Sequence, residues 1–191
     1  VTACAAFGYH RPMTQFHLFD TAIGRCAILW RDKKLTGVLL PAASDQAMLR
    51  AIMRRDAGAS EAPTPAFVAD AIDRIRKLCV GERVSFDGAP LDRDAIEPLA
   101  NRVYDILLRV PFGEATTYGA IAEELGDKAL SRAVGAALGA NPFPIIIPCH
   151  RVVAAGGRMG GFTAPGGADT KRRLLEIEGA FAAEKLPLFG G

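Results

Sequence analysis

Pro148-Cys149-His150-Arg151 is the segment in which this chain most plainly places a nucleophile. The thiolate is the reactive form of cysteine, and Arg151 with its basic neighbours is expected to lower the pKa of the Cys149 thiol. His150 follows directly; in an extended segment its side chain points away from that of Cys149, so a proton would pass between them through a water. The bland alternative is a solvated loop histidine. Glu178 is the third candidate, because it follows Leu174 by four and Leu175 by three, which sets a carboxylate on the apolar face of a helix. It also sits in the last turn, where the helix dipole disfavours an anion, and a residue that breaks two local rules is a candidate for function. Such a carboxylate could orient and charge His150 behind the nucleophile.

The other cysteines read differently. Cys26 and Cys79 lie among apolar residues and are expected to be inert packing. Cys4 belongs to an irregular stretch, Val1 to Pro12, read as a leader outside the fold. With no C-x-x-C pair and no histidine at metal spacing, neither a disulfide framework nor a zinc site is indicated, and no metal or cofactor is expected.

These side chains must be held by ordinary elements. Phe16 to Phe19, Cys26 to Trp30 and Leu35 to Leu40 read as three strands of an antiparallel meander, with turns at Gly24 and Asp32-Lys33. Ser44 looks like the N-cap of a helix reaching about Ala57. A second helix fits Ala66 to Cys79, and a short strand Arg83 to Phe86. Asp87 to Arg93 is a plausible linker. Beyond it the pattern is helical: Ile96 to Val110, Thr117 to Leu125 and Ala129 to Ala140. The last two, joined at Gly126-Asp127, read as a helix-turn-helix, or alternatively as two ordinary core helices. The Ile145-Ile146-Ile147 run, bounded by prolines, is expected to be buried and extended. A glycine-rich loop, Gly156 to Gly167, leads to a last helix from Thr170 to Glu178, stopped by Gly179.

Charge narrows the partner. The net charge of +2 over 191 residues announces nothing, but Lys128, Arg132, Arg151, Arg158, Lys171, Arg172 and Arg173 form a basic run against one acid, Asp169. That local excess could neutralise several phosphates. Ala129 to Ala140 also carries Arg132, Gly135, Ala136 and Gly139 on one face, small and smooth with one long cation. Such a face can press on a groove wall while the arginine reaches into a base stack; equally, small residues permit close packing inside the protein. No apolar run is long enough to cross a bilayer, and a cytoplasmic protein is the default expectation.

Ile147 to Val153 resembles the active-site signature of the O6-alkylguanine-DNA alkyltransferases. The likeness runs from Val110 to Gly179 through Pro111-Phe112-Gly113-Glu114, Thr117-Tyr118, Ser131 to Gly135, Asn141-Pro142 and Leu174 to Gly179. The resemblance implies that Cys149 accepts the alkyl group, that His150 is a water-linked base and that Glu178 polarises it. It makes Asn141 a brace of the active-site turn, Tyr118 the phenol serving guanine N3, and Arg132 the finger that replaces an extruded base. Thr117, Gly135, Ala136 and Arg151 would face DNA, and Phe162, Thr163 and Pro144 would line the substrate pocket. Here Phe162 to Gly167 replaces the family's aromatic-Ser-Gly-Gly, longer by two residues and with Thr163 for serine.

The resemblance also implies an α/β, ribonuclease-H-like N-terminal domain (13–88) and a mainly α C-terminal domain (89–191) with a winged helix-turn-helix. The expected partner is double-stranded DNA carrying O6-alkylguanine, approached from the minor groove by a monomer, with little sequence preference and no membrane. O6 is inaccessible in a stacked duplex, so the base must be flipped. Two rivals remain: a non-catalytic sensor of alkylated DNA, which Cys149 argues against, and a cysteine hydrolase or thiol redox protein, for which no oxyanion motif or resolving cysteine is evident.

Overall fold

The computed structural model describes residues 13–180. Residues 1–12, read above as a leader and including Cys4, lie outside the described residues.

Three strands, β1 (Gln15–Thr21), β2 (Gly24–Arg31) and β3 (Lys34–Leu39), form the expected antiparallel meander. Helix α1 (Asp45–Arg55) is capped by Ser44, whose hydroxyl accepts the Ala47 N–H at 3.2 Å. It stops at Arg55 because Asp56 turns extended and its carboxylate takes the Gly58 N–H. A two-residue strand, β4 (Ser60–Glu61), pairs in parallel with β1, giving the order β3-β2-β1-β4. The fourth strand is therefore β4; the segment Arg83 to Phe86, expected as a strand, is irregular.

Helix α2 (Ala66–Cys79) matches its expected bounds. Cys26, Ile28 and Trp30 pack with Ile72 and Ile75 of α2, whereas Ala27 and Leu29 pack with Met48 and Ile52 of α1. The sheet is thus covered on both faces, which is why β2 is apolar without alternation.

The segment 87–93 does more than link. Leu35 donates its N–H to Pro90 at 2.7 Å and accepts from Asp92 at 2.7 Å, so the chain closes the free edge of β3. Farther along the same edge, the Val38 N–H donates to the carbonyl of Pro142 at 2.8 Å.

The rest is mainly helical. Helix α3 (Pro98–Leu108) starts at Pro98, which needs no N–H at the first helical position. Two-residue strand β5 (Thr116–Thr117) leads into α4 (Tyr118–Glu124), capped by the Thr117 hydroxyl. A 3-10 turn over 128–130 precedes α5 (Ser131–Gly139). The buried Tyr104 hydroxyl donates to Ala137 O at 2.7 Å and ties α3 to α5. Strand β6 (Val152–Val153) pairs in parallel with β5, and α6 (Gly167–Ile177) closes the described chain. One large core joins Trp30 and Ile75 to Tyr104, Val134, Phe143 and Leu174, so it runs through both halves. Among the described residues, no helix is long and apolar enough to cross a membrane.

Candidate active site

The triple isoleucine is not extended. Ile145 has φ +74°, a left-handed conformation that a β-branched residue adopts only under constraint, and the Ile147 N–H returns to Phe143 O at 2.8 Å. The result is a buried tight turn. Asn141 holds it from within: its Nδ2 donates to Ile147 O at 2.9 Å, and its Oδ1 accepts the Phe143 N–H at 2.9 Å. From outside, β3 holds it through Pro142. The chain then coils, so Cys149, His150 and Arg151 form a 3-10 turn where an extended segment was expected.

Cys149 is buried, 7% exposed. Burial pushes its thiol pKa up, opposed by a hydrogen bond from Asn141 and the positive charge of Lys171. This corrects the expectation that Arg151 activates the thiol. Arg151 is itself buried and donates Nε and Nη2 to the Glu178 carboxylate at 2.8 and 3.0 Å, and Nη1 to Val110 O at 2.6 Å. It therefore cannot face DNA either.

His150 is fully buried, and its Nε2 lies 2.8 Å from Glu178 Oε1. Burial lowers its pKa against the pull of Glu178, so the ring is neutral at neutral pH. Burial works to raise the Glu178 pKa, but hydrogen bonds from His150 and Arg151 prevail and hold it at about 2. An ionised carboxylate can only accept, which places the imidazole proton on Nε2 and leaves Nδ1 as the basic nitrogen. Nδ1 is buried and has no hydrogen-bond partner among the described residues.

Glu178 caps α6, and the Gly113 N–H reaches its Oε2 at 3.3 Å. Gly113 has φ +82°, and a Cβ there would stand 2.9 Å from the Glu178 carbonyl oxygen, so the turn 111–113 can approach only with glycine.

Lys171 was counted among the residues for phosphate, yet it is fully buried, with Nζ donating to Val152 O at 2.6 Å and lying 6.0 Å from the Tyr118 ring centre. Burial lowers its pKa, and the nearby Cys149 opposes that. Spacing could have found it: Lys171, Leu174, Leu175 and Glu178 share one stripe of α6. Arg173 is exposed, and its guanidinium donates to the carbonyls of Ala22 and Ile23 in the β1–β2 turn.

Tyr118 donates its hydroxyl to Gly161 O at 3.2 Å, and burial followed by the proximity of Cys149 raises its pKa. A cavity of about 210 Å³ lies between Tyr118, Gly135, Gly139, Cys149, Phe162 and Thr163. A second, of about 450 Å³, also borders Cys149 and is bounded by Pro144, Leu40, Thr163, Arg54 and Arg55. Thr163 donates to Gly139 O at 3.2 Å where the two meet. Arg132 and Ala136 are exposed on α5, and Thr117 caps α4. The turn thus brings together Cys149, His150, Glu178, Asn141 and Tyr118, with Phe162, Thr163 and Pro144 around them.

A buried thiol, a neutral buried imidazole fixed by a carboxylate, and an adjoining cavity beneath a helix pair define a nucleophilic group-transfer site. Residues 98–180 match the family described as 6-O-methylguanine DNA methyltransferase, DNA binding domain. The chain is 33% identical to a methylated-DNA–protein-cysteine methyltransferase of Mycolicibacterium paratuberculosis, covering 93% of this chain and 99% of that one. It is 41% identical to its namesake from Mycobacterium tuberculosis over 66% of this chain and 74% of the relative. The crystal structure of Mycobacterium tuberculosis OGT in complex with DNA superposes with a TM-score of 0.71 at 33% identity, covering 87% of this chain and 93% of that one. The chain belongs to the methylated-DNA–protein-cysteine methyltransferase family.

Proposed function

We propose that this protein repairs DNA by moving the alkyl group of O6-alkylguanine onto Cys149, once and irreversibly. The observation that carries the reading is the buried line from Glu178 through His150 to the turn of Cys149, opening on a cavity that also holds Tyr118.

The resting thiol is protonated, because burial disfavours its anion. His150 supplies the missing base: Nδ1 takes the thiol proton through one water, and Glu178 steadies the imidazolium that results. Lys171 stands by the thiolate and favours its formation. Sulfur attacks the alkyl carbon, the carbon–O6 bond breaks, and guanine leaves with the electron pair. The Tyr118 hydroxyl protonates it at N3. The thioether has no easy route back, so each chain acts once.

The base reaches sulfur by flipping out of the minor-groove side of the duplex, and Arg132 fills the gap it leaves. The Thr117 end of α4 and the smooth Gly135–Ala136 face of α5 lie against the DNA backbone, positioning without reading bases. On this reading, 13–88 form a ribonuclease-H-like domain, 89–191 carry a winged helix-turn-helix, and the protein works as a monomer.

The test is incubation with duplex DNA bearing radiolabelled O6-methylguanine, followed by peptide mapping. Label on Cys149, absent in Cys149→Ser while duplex binding persists, is the expected result. Binding without label would make the protein a sensor, and repair by Cys149→Ser would overturn the assignment of the acceptor.

A further inference from the structure

Two cavities meet at Cys149, and a methyl group needs only one of them. The purine belongs in the smaller, since that is where Tyr118 can serve guanine N3 and where Gly135 and Gly139 of α5 form the wall. Leu138, Gly139, Cys149, Phe162 and Thr163 border both spaces, so a long O6 substituent passes from the first into the second. The second cavity is lined further by the apolar Val38, Leu40 and Pro144 and by the cationic Arg54 and Arg55.

Arg55 is placed there by its surroundings. Its Nη1 donates to Pro142 O at 3.4 Å and lies over Gly37 of β3, where an added Cβ would come within 2.2 Å of it. Among the described residues, neither Arg54 nor Arg55 forms an ion pair. The neighbouring Asp56 carboxylate is engaged by the Thr14 hydroxyl and the Gly58 N–H. Cations in a last helical turn suit the helix dipole. That preference does not account for two arginines lining the cavity that holds the nucleophile.

We propose that this protein accepts O6-guanine substituents several atoms long that end in a carboxylate, with Arg54 and Arg55 binding the anionic end. The inference rests on the alkyl-transfer reading above. The chemistry is unchanged: a carbon–sulfur bond forms at the substituent's first carbon, the carbon–O6 bond breaks, and guanine takes its proton from Tyr118. The carboxylate stays ionised and remains in the cavity on the thioether.

Free O6-benzylguanine bases carry no phosphate and so isolate this effect. Rates of Cys149 alkylation would be followed by intact mass for the para-carboxy, para-aminomethyl and unsubstituted compounds, with O6-methylguanine DNA as reference. The para-carboxy base should react about tenfold faster than the para-aminomethyl base, the discrimination of one charge-assisted contact. Arg54→Gln with Arg55→Gln should bring the two rates together while methyl transfer stays unchanged. Gly37→Ala, which displaces the Arg55 guanidinium without removing charge, should reduce the preference. Absence of methyl transfer by the unaltered protein would refute the alkyl-transfer reading itself. Methyl transfer without reaction of any benzyl base, without charge preference, or with a preference that survives the double substitution would overturn this inference alone. Weaker duplex binding with the preference intact would assign the arginines to phosphate and overturn it too.

Discussion

Glu178→Gln tests the internal logic of the site. The substitution keeps the shape of the side chain and removes the charge on which the Nε2 of His150, the Nε and Nη2 of Arg151 and the Gly113 N–H converge. Arg151 stays cationic and buried, with Val110 O as its remaining strong partner. Stranding one member of a buried pair costs about 3–5 kcal/mol. For a chain of this size that lowers the melting temperature by roughly 6–20 °C. Transfer should fall by about 10²-fold or more, because His150 loses the anion that stabilises its imidazolium and an amide can also donate to Nε2 in place of accepting from it. Thermal unfolding gives the first quantity; single-turnover transfer from labelled DNA, measured below both melting temperatures, gives the second. Adding Arg151→Met removes the stranded cation and should restore part of the stability without restoring transfer. A Glu178→Gln protein that melts with the unaltered chain and transfers at its rate would refute the reasoning.

Acid should unfold the protein in two stages. The His150 pKa is lowered from 6.5 by burial, so the unfolded chain takes up a proton first and stability declines as pH falls below about 6.5. The Glu178 pKa is held at about 2 against an ordinary 4.5, so its contribution, roughly 3 kcal/mol, is present above pH 4.5 and lost between there and pH 2. Denaturant titrations across pH should show both limbs, and Glu178→Gln should lack the lower one. Lys171→Met should raise the apparent pKa for Cys149 alkylation by iodoacetamide and slow transfer at neutral pH, because the cation beside the thiolate is gone; an unmoved profile would remove Lys171 from the site. Ile145→Gly should destabilise by about 1–2 kcal/mol less than Ile147→Gly, since only at Ile145 does glycine relieve a positive φ. Equal losses by chemical denaturation would mean the turn carries no strain.

How legible the molecule was depends on which rule dominated at each place. The meander and α2 were plain because period and turn residues agreed. β4 was hidden because two residues make no pattern, and their pairing with β1 arises only after α1 turns the chain back. The isoleucine turn was misread for a stronger reason: β-branched residues between prolines favour extension, and tertiary bonds from Asn141 and β3 override that preference. Glu178 was legible as a charge on an apolar stripe. Lys171 obeyed the same rule but was read by its charge, and Arg151 was assigned outward although a buried carboxylate needs a buried cation. Arg54 and Arg55 gave no signal, because their relation to Cys149 depends on how the α1 end meets the turn.

The bond from Val38 to Pro142 has a consequence for biosynthesis. It joins an early strand to a turn made much later, and such distant contacts form late because the intervening loop must first close. A ribosome therefore releases the sheet long before the sulfur has its cradle, and maturation of the nucleophile waits for the two ends of the job to dock. A fragment beginning near Pro90 would keep every reacting group yet lack the rail against which they are aligned.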